Sequence, residues 1–183
     1  MFPVDVAALR LALSSGETFE YRYFWGHTPR EDGALSDAMF SQWYHAPFTL
    51  EGVQYPTAEH YMMAAKAALF GDAASWAQII AAETPADAKK LGRGVIGFDA
   101  ARWRDSAFGI VTRGNVAKFS AQPALAEYLR DTGDAILVEA SPDDRIWGIG
   151  LAADQAEARD PRAWKGENLL GFAIMEARRI LAS

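Results

Sequence analysis

The strongest constraint on what this chain can fold into is the order of its helix signals. From Thr57 to Asp131 one helix start follows another. Thr57 is placed to cap a helix reaching about Phe70, where Gly71 ends it, and Asp72 caps a second over 73–82. Thr84-Pro85 opens a third, with proline at the first helical position, where its missing N–H costs nothing. Asp99 opens a long helix to about Phe119, and 123–131 reads as another. Strand-like stretches flank this block: TFEYRYFW (18–25), a hairpin over PFTLEGVQY (47–55) turning at Glu51-Gly52, and AILVEA (135–140). A short amphipathic helix over 4–13, a loop over 26–37 and a helix from about Asn168 to Leu181 complete the reading. Strand and helix do not alternate regularly. The expected class is therefore α+β: a helix-rich single domain over 1–183 with a small β-sheet, rather than a doubly wound one.

Composition removes several functions. The 183 residues include no cysteine, which excludes disulfides, thiolate metal sites and a cysteine nucleophile. The net charge of −6 gives no sign of a general polyanion binder. Asp5 and Arg10 interrupt the apolar start that a signal peptide would need, and no apolar run approaches the ~18 residues that span a bilayer. A cytoplasmic protein without membrane partners is expected. His27, His45 and His60 form no HExxH and no i,i+4 pair, so no metal site is expected, and no G-x-S-x-G marks a serine hydrolase.

GRGVIG (92–97) matches the dinucleotide fingerprint G-x-G-x-x-G letter for letter. Its context is wrong, because AKKL before it reads as helix where the fingerprint requires a strand. A helix end and a turn are expected instead. In YPTAEHYMMAAKA (55–67), Glu59, Met62, Met63 and Lys66 fall near one helical face, with Glu59 and Lys66 about 10 Å apart along the axis. Two charges among apolar neighbours are either a pair flanking a bound sugar or solvated groups, Glu59 being favourable near a helix N-terminus in any case. EASPDDRIWGIGL (139–151) follows an apolar strand and carries two adjacent carboxylates, Asp143 and Asp144, shortly before Trp147-Gly148; it is either a ribose and base site or an Asp-rich turn with a core tryptophan. Asn168 stands where a side chain caps the last helix, and Lys165 with the free N–H groups there is a candidate phosphate site.

Several segments in register resemble the NADAR (YbiA-like) family. They are Tyr23-Phe24-Trp25, FSQWYHAPF (40–48), YPTAEHYMMAAKA, KKLGRGVIGFD (89–99) and Trp103. NVAKF (115–119), LVEASPDDRIWGIGL (137–151) and WKGENLLGFAIMEAR (164–178) follow, covering roughly residues 20–180 without a large insertion. The resemblance implies a hydrolase of N-glycosidic bonds. It acts either on early riboflavin-pathway intermediates or on ADP-ribose attached to the amino group of guanine, free or in nucleic acid. A toxin–antitoxin context is not derivable from the sequence. A non-catalytic module binding ADP-ribose or NAD metabolites would use the same cleft. Carried over by position, the resemblance makes Glu59, Lys66 and Asp144 the catalytic candidates. Trp25, Arg93, Trp103, Lys118, Trp147, Gly148 and Asn168 become the substrate-binding ones, with no metal or other cofactor.

The implied roles are proton transfer at Glu59, and ribose holding or water activation at Asp144. Lys66 serves as a Schiff-base former or electrostatic clamp, Arg93 binds phosphate and Trp147 stacks on the base. Gln42 and His45 stand where the family usually carries Asn and Pro, a departure that bears on base preference.

Overall fold

A computed structural model describes residues 2–182. Its most deeply buried strand is β4 (Ile136–Glu139), whose Ile136, Leu137 and Val138 are wholly shielded from solvent. It pairs in parallel with β1 (Tyr21–Phe24), Tyr21 opposite Ile136 and Phe24 opposite Glu139. A parallel pair needs a long crossover, and here the crossover is the whole helical block between them. Both strands therefore end on the same side of the molecule. The loops that begin at Trp25 and Ala140 emerge together there, the usual place for a site on parallel strands.

The crossover follows the capping signals closely. β2 (Phe48–Leu50) and β3 (Val53–Tyr55) form an antiparallel hairpin, with Glu51 and Gly52 at φ 52° and 79° as a two-residue turn of this hand requires. Thr57, Asp72, Thr84 and Asp99 each accept a hydrogen bond from the backbone three residues on. They open α2 (Ala58–Leu69), α3 (Ala73–Ile80), α4 (Pro85–Arg93) and α5 (Ala100–Ser120). Asp72 also accepts from Ile96 N at 2.9 Å, tying the α4–α5 connection back to α3. α1 (Val6–Ser14) precedes β1, α6 (Pro123–Arg130) precedes β4, and α7 (Leu169–Ala182) closes the fold. α5 packs along α7, α7 along β4, and α2 against α3, α4 and α5.

The class is α+β, with seven α-helices and four short strands among the described residues. The small sheet is two separate two-stranded sheets, and the first strand is shorter than the aromatic run implied. GRGVIG is a helix end: α4 stops at Arg93, and Gly97 turns the chain at φ 74°. Gly92 is small because Met63 of α2 lies against it. The stretch after Leu151 holds two 3-10 turns, Ala156–Arg159 and Pro161–Ala163, for which hydrophobic periodicity gave no signal.

The start of α7 departs most from expectation. Asn168 does not cap the helix. It sits at φ 53°, wholly buried, with its side chain turned to β4. Nor is a phosphate site left there, because the N–H groups of Asn168, Leu169 and Leu170 donate to the carbonyls of Gly148, Ile146 and Trp147. The loop after β4 takes the donors that an anion would need.

α7 approaches β4 so closely that a Cβ on Gly171 would run into the Leu137 carbonyl and the Asn168 amide. Neither can yield without breaking the strand contact. Gly171→Ala is expected to cost about 1–3 kcal/mol, lowering Tm by ~2–4 °C for each kcal/mol. Gly109 in α5 has open space around its Cβ position, so Gly109→Ala should raise Tm slightly. Thermal unfolding of the two variants checks the pair, and a Gly171→Ala protein as stable as wild type would contradict the packing argument.

Candidate active site

Glu59 is the second residue of α2, and its N–H donates to the Gln42 carbonyl at 2.9 Å. A carboxylate so placed is ordinarily exposed and favoured by the helix N-terminus. Here only 5% of the residue is exposed, and burial dominates, pushing its pKa up to about 7. Lys89, the Trp43 indole and Arg93 pull the other way, and Asp144 adds to the rise. Lys89 and Arg93 lie one turn apart on α4, so a single helix face supplies both cations.

Asp144 comes from the loop after β4. Its Oδ1 accepts from Ile146 N at 2.9 Å and Trp147 N at 2.8 Å, and its carbonyl accepts from Gly150 N at 3.0 Å. The aspartate thus builds the turn that carries the half-buried Trp147. Gly148 lets this turn close, since a Cβ there would come within 2.9 Å of the Glu139 carbonyl and 3.0 Å of the Asp144 carbonyl. Glu139 ends β4 between these groups. Its Oε2 is closed off from solvent and has no hydrogen-bond partner. Burial, Asp144 and Glu59 push its pKa up to about 8 against the pull of Lys89.

Beneath the cluster two buried polar side chains hold the walls. Lys118 of α5 is wholly buried and donates to the carbonyls of Met39 (2.6 Å) and Ser41 (2.9 Å), and burial brings its pKa down to about 7. Asn115, one turn earlier, donates to Gln42 Oε1 at 3.1 Å. Together they pin the segment that presents Trp43, whose ring lies near His27 and beneath Lys89. On the other side Asn168 Oδ1 accepts from Glu139 N (2.9 Å) and its Nδ2 donates to Leu137 O (2.8 Å). Neither Lys118 nor Asn168 presents a surface to a ligand; both were expected to bind substrate, and the fold uses both as ties.

Lys66 faces the end of α4. Its Nζ donates to the Gly92 carbonyl at 2.8 Å and lies 4.2 Å from the Phe98 ring centre and 5.7 Å from that of Trp103. Burial alone lowers its pKa, with no carboxylate opposing. The structure thus gathers Glu59, Asp144 and Arg93 in one cluster, with Lys66 and Trp103 at the far end of the same α2–α4 seam. Trp25, at the end of β1, is 63% exposed. Gln42 turns inward to Asn115, and His45 is exposed. Sequence reasoning passed over Glu139, Lys89 and Trp43. Two signals for them existed: a carboxylate ending a wholly apolar strand, and a lysine four residues before Arg93.

Grooves of about 730 and 500 Å³ lie elsewhere, one between β2 and α5 and one beside Phe2 and Thr132, and neither contains a cluster residue. Burial and charge mark the site, not volume. Among the described residues no group of three His, Asp or Glu side chains is placed to hold a metal ion, and no helix is long and apolar enough to cross a membrane.

The NADAR domain model matches residues 23–182. An N-glycosidase of Acanthamoeba polyphaga mimivirus is 42% identical over 167 residues, covering 88% of this chain and 96% of the relative. The N-glycosidase YbiA of Escherichia coli is 30% identical over 143 residues, covering 78% and 79%. The NMR structure of E. coli YbiA superposes with a TM-score of 0.70 at 26% identity, over 91% of this chain and 87% of that one.

The displaced pKa of Glu59 has a consequence for stability. An unfolded glutamate titrates near 4.5, so between pH 4.5 and about 7 the folded chain holds a proton that the unfolded chain releases. Stability from this group is full below pH 4.5 and is lost as pH rises through 7. Lys118 slopes oppositely: between about 7 and 10.5 the unfolded chain holds the extra proton, and stability rises with pH. Urea denaturation at pH 5 and pH 8 should show wild type losing up to ~3 kcal/mol relative to Glu59→Gln across that interval. Parallel pH dependence in the two proteins would mean that Glu59 titrates as an ordinary carboxylate.

Proposed function

The chain belongs to the NADAR domain family, and from that premise we propose that it is an N-glycosidase. In this reading it hydrolyses the bond between C1′ of a phosphorylated ribose and the amino nitrogen of a base. The observation that carries the reading is the desolvated Glu59, held among Glu139, Asp144, Lys89 and Arg93. Cleaving a C1′–N bond builds positive charge on the sugar and negative charge on the departing nitrogen, so it calls for a proton-handling group whose pKa lies near neutrality. It also calls for a clamp on phosphate. Glu59 meets the first requirement, and the paired cations of α4 support the second.

Asp144 orders its loop through one oxygen and holds the ribose, and the ring of Trp147 stacks on the base. Lys66 is the nucleophile at the sugar. Desolvation without an adjacent carboxylate favours the neutral amine, which adds to C1′, and the resulting ribosylamine opens to an imine that water hydrolyses. The substrates are aminopyrimidine ribose phosphates of the early riboflavin pathway or guanine carrying ADP-ribose on its amino group. Both join an amino-substituted ring to a phosphorylated ribose. The net charge of −6 favours a nucleotide or a single modified base over continuous duplex.

Parallel assays on the two substrate classes, reading release of free base or of unmodified guanine, decide between them. Binding of ADP-ribose without turnover of either would leave a binding module instead. Glu59→Gln should retain substrate binding while kcat falls ~10²–10⁴-fold. Borohydride added during turnover should trap a ribosyl adduct that disappears in Lys66→Ala; active enzyme without an adduct would remove the imine and leave Lys66 as an electrostatic clamp.

A further inference from the structure

Glu139 is fixed more firmly than its place at the end of a short strand requires. Its N–H donates to Asn168, its carbonyl accepts from Ile149 N at 2.9 Å, and the next residue, Ala140, donates to Phe24 O at 2.9 Å. Its side chain shows the reverse: Oε2 is shut away from water with no partner. The groups facing it are Asp144 from the following loop, Glu59 from α2 and Lys89 from α4. Two of the three are carboxylates. An ionised Glu139 would leave a bare oxygen charged and desolvated beside like charges, whereas a protonated one is neutral. It then carries a donor with nothing in the protein to receive it.

We propose that Glu139 is the acid of this site, giving its proton to the nitrogen that leaves C1′, while Glu59 acts as the base. This rests on the N-glycosidase reading above. As Lys66 Nζ bonds to C1′, the C1′–N bond breaks and its electron pair stays on the departing nitrogen. That nitrogen takes the Glu139 proton, and the proton lost by Nζ goes to solvent. When water hydrolyses the Lys66 imine, Glu59 takes a proton from the attacking water and returns it to the departing amine, the sugar is freed as its hydroxyl form, and Glu139 regains from solvent the proton that Nζ released there. Division of labour between two carboxyls needs environments that separate their proton affinities: Glu139 has a sealed oxygen without a partner and faces two carboxylates, whereas the Trp43 indole and Arg93 favour the ionised form of Glu59.

Two measurements test the assignment. In protein labelled with carboxyl-¹³C glutamate, one resonance should titrate near pH 8 and be missing from Glu139→Gln. A Glu139 carboxyl already ionised at about pH 6 overturns the proposal whatever the activity. In kinetics, Glu139→Gln should lose ~10²–10⁴-fold in kcat on an amine-linked base, with KM within a few-fold of wild type. It should lose at most tenfold on 4-nitrophenyl ribose 5-phosphate, whose phenolate leaves without a proton. Equal losses on both substrates overturn the acid role. Should Glu139→Gln unfold, Glu139→Asp, with a shorter carboxylic acid, must show the same substrate-dependent split. Wild type inactive on every substrate defeats the N-glycosidase reading instead, a result distinguishable from the others because the ¹³C titration is unaffected by turnover.

Discussion

One buried carboxamide joins the two halves on which the rest of the structure depends. Asn168 accepts from Glu139 N and donates to Leu137 O, filling a gap in the hydrogen bonding of β4 that no third strand fills. A two-stranded parallel pair is marginal by itself, and here a side chain from α7 serves the open edge. The tie sets three things together: the depth of α7 against β4, the end of β4 where Glu139 sits, and the return of the 145–150 loop onto the helix start. Its left-handed backbone at φ 53° is uncommon and costs energy outside glycine, so the tie persists because the contacts around it over-determine the conformation.

Around that tie the protein buries groups that water would stabilise better. Glu59 and Glu139 on one side and Lys118 on the other are all displaced toward neutrality by desolvation. The lysine is compensated, since two carbonyls accept from it and it holds the segment that delivers Trp43. The Glu139 Oε2 is not, and that uncompensated cost lies at the site. Side-chain caps on five of the seven described helices offset part of that cost.

What was legible in the sequence follows from the range of the interactions. Caps act over three residues, so Thr57, Asp72, Thr84 and Asp99 announced their helices, and Glu51-Gly52 announced its hairpin. Glu59 and Lys66 stood out because charge among apolar residues at helical spacing is a local pattern. Glu139 and Lys89 acquire meaning only from contacts between β4, α2 and α4, which no spacing encodes. Lys118 and Asn168 show the converse difficulty. Their motifs were visible, but whether a polar side chain faces a pocket or a backbone carbonyl depends on the packing of α5 and α7. GRGVIG was separable from a nucleotide fingerprint by context, and its first glycine proved to answer to Met63 on the neighbouring helix.

The division between floor and rim follows from the same topology. Glu59 and Glu139, with the ties that hold them, belong to α2, β4, α5 and α7, elements packed against one another on buried faces. Trp25, Ile96, Phe98 and Ile146, all exposed large apolar side chains, belong to the connections that follow β1, α4 and β4. Rigid elements thus hold the carboxylates, while these apolar side chains ride on loops. Under the proposed N-glycosidase reading, substitution in the loops would alter which base is accepted without disturbing the carboxylates, because no rim residue takes part in the ties made by Asn168, Asn115 or Lys118. In that reading the chemistry of the bond and the choice of base are separable, and Gln42, which reaches Asn115 from the segment beside Trp43, is the point at which the two come closest.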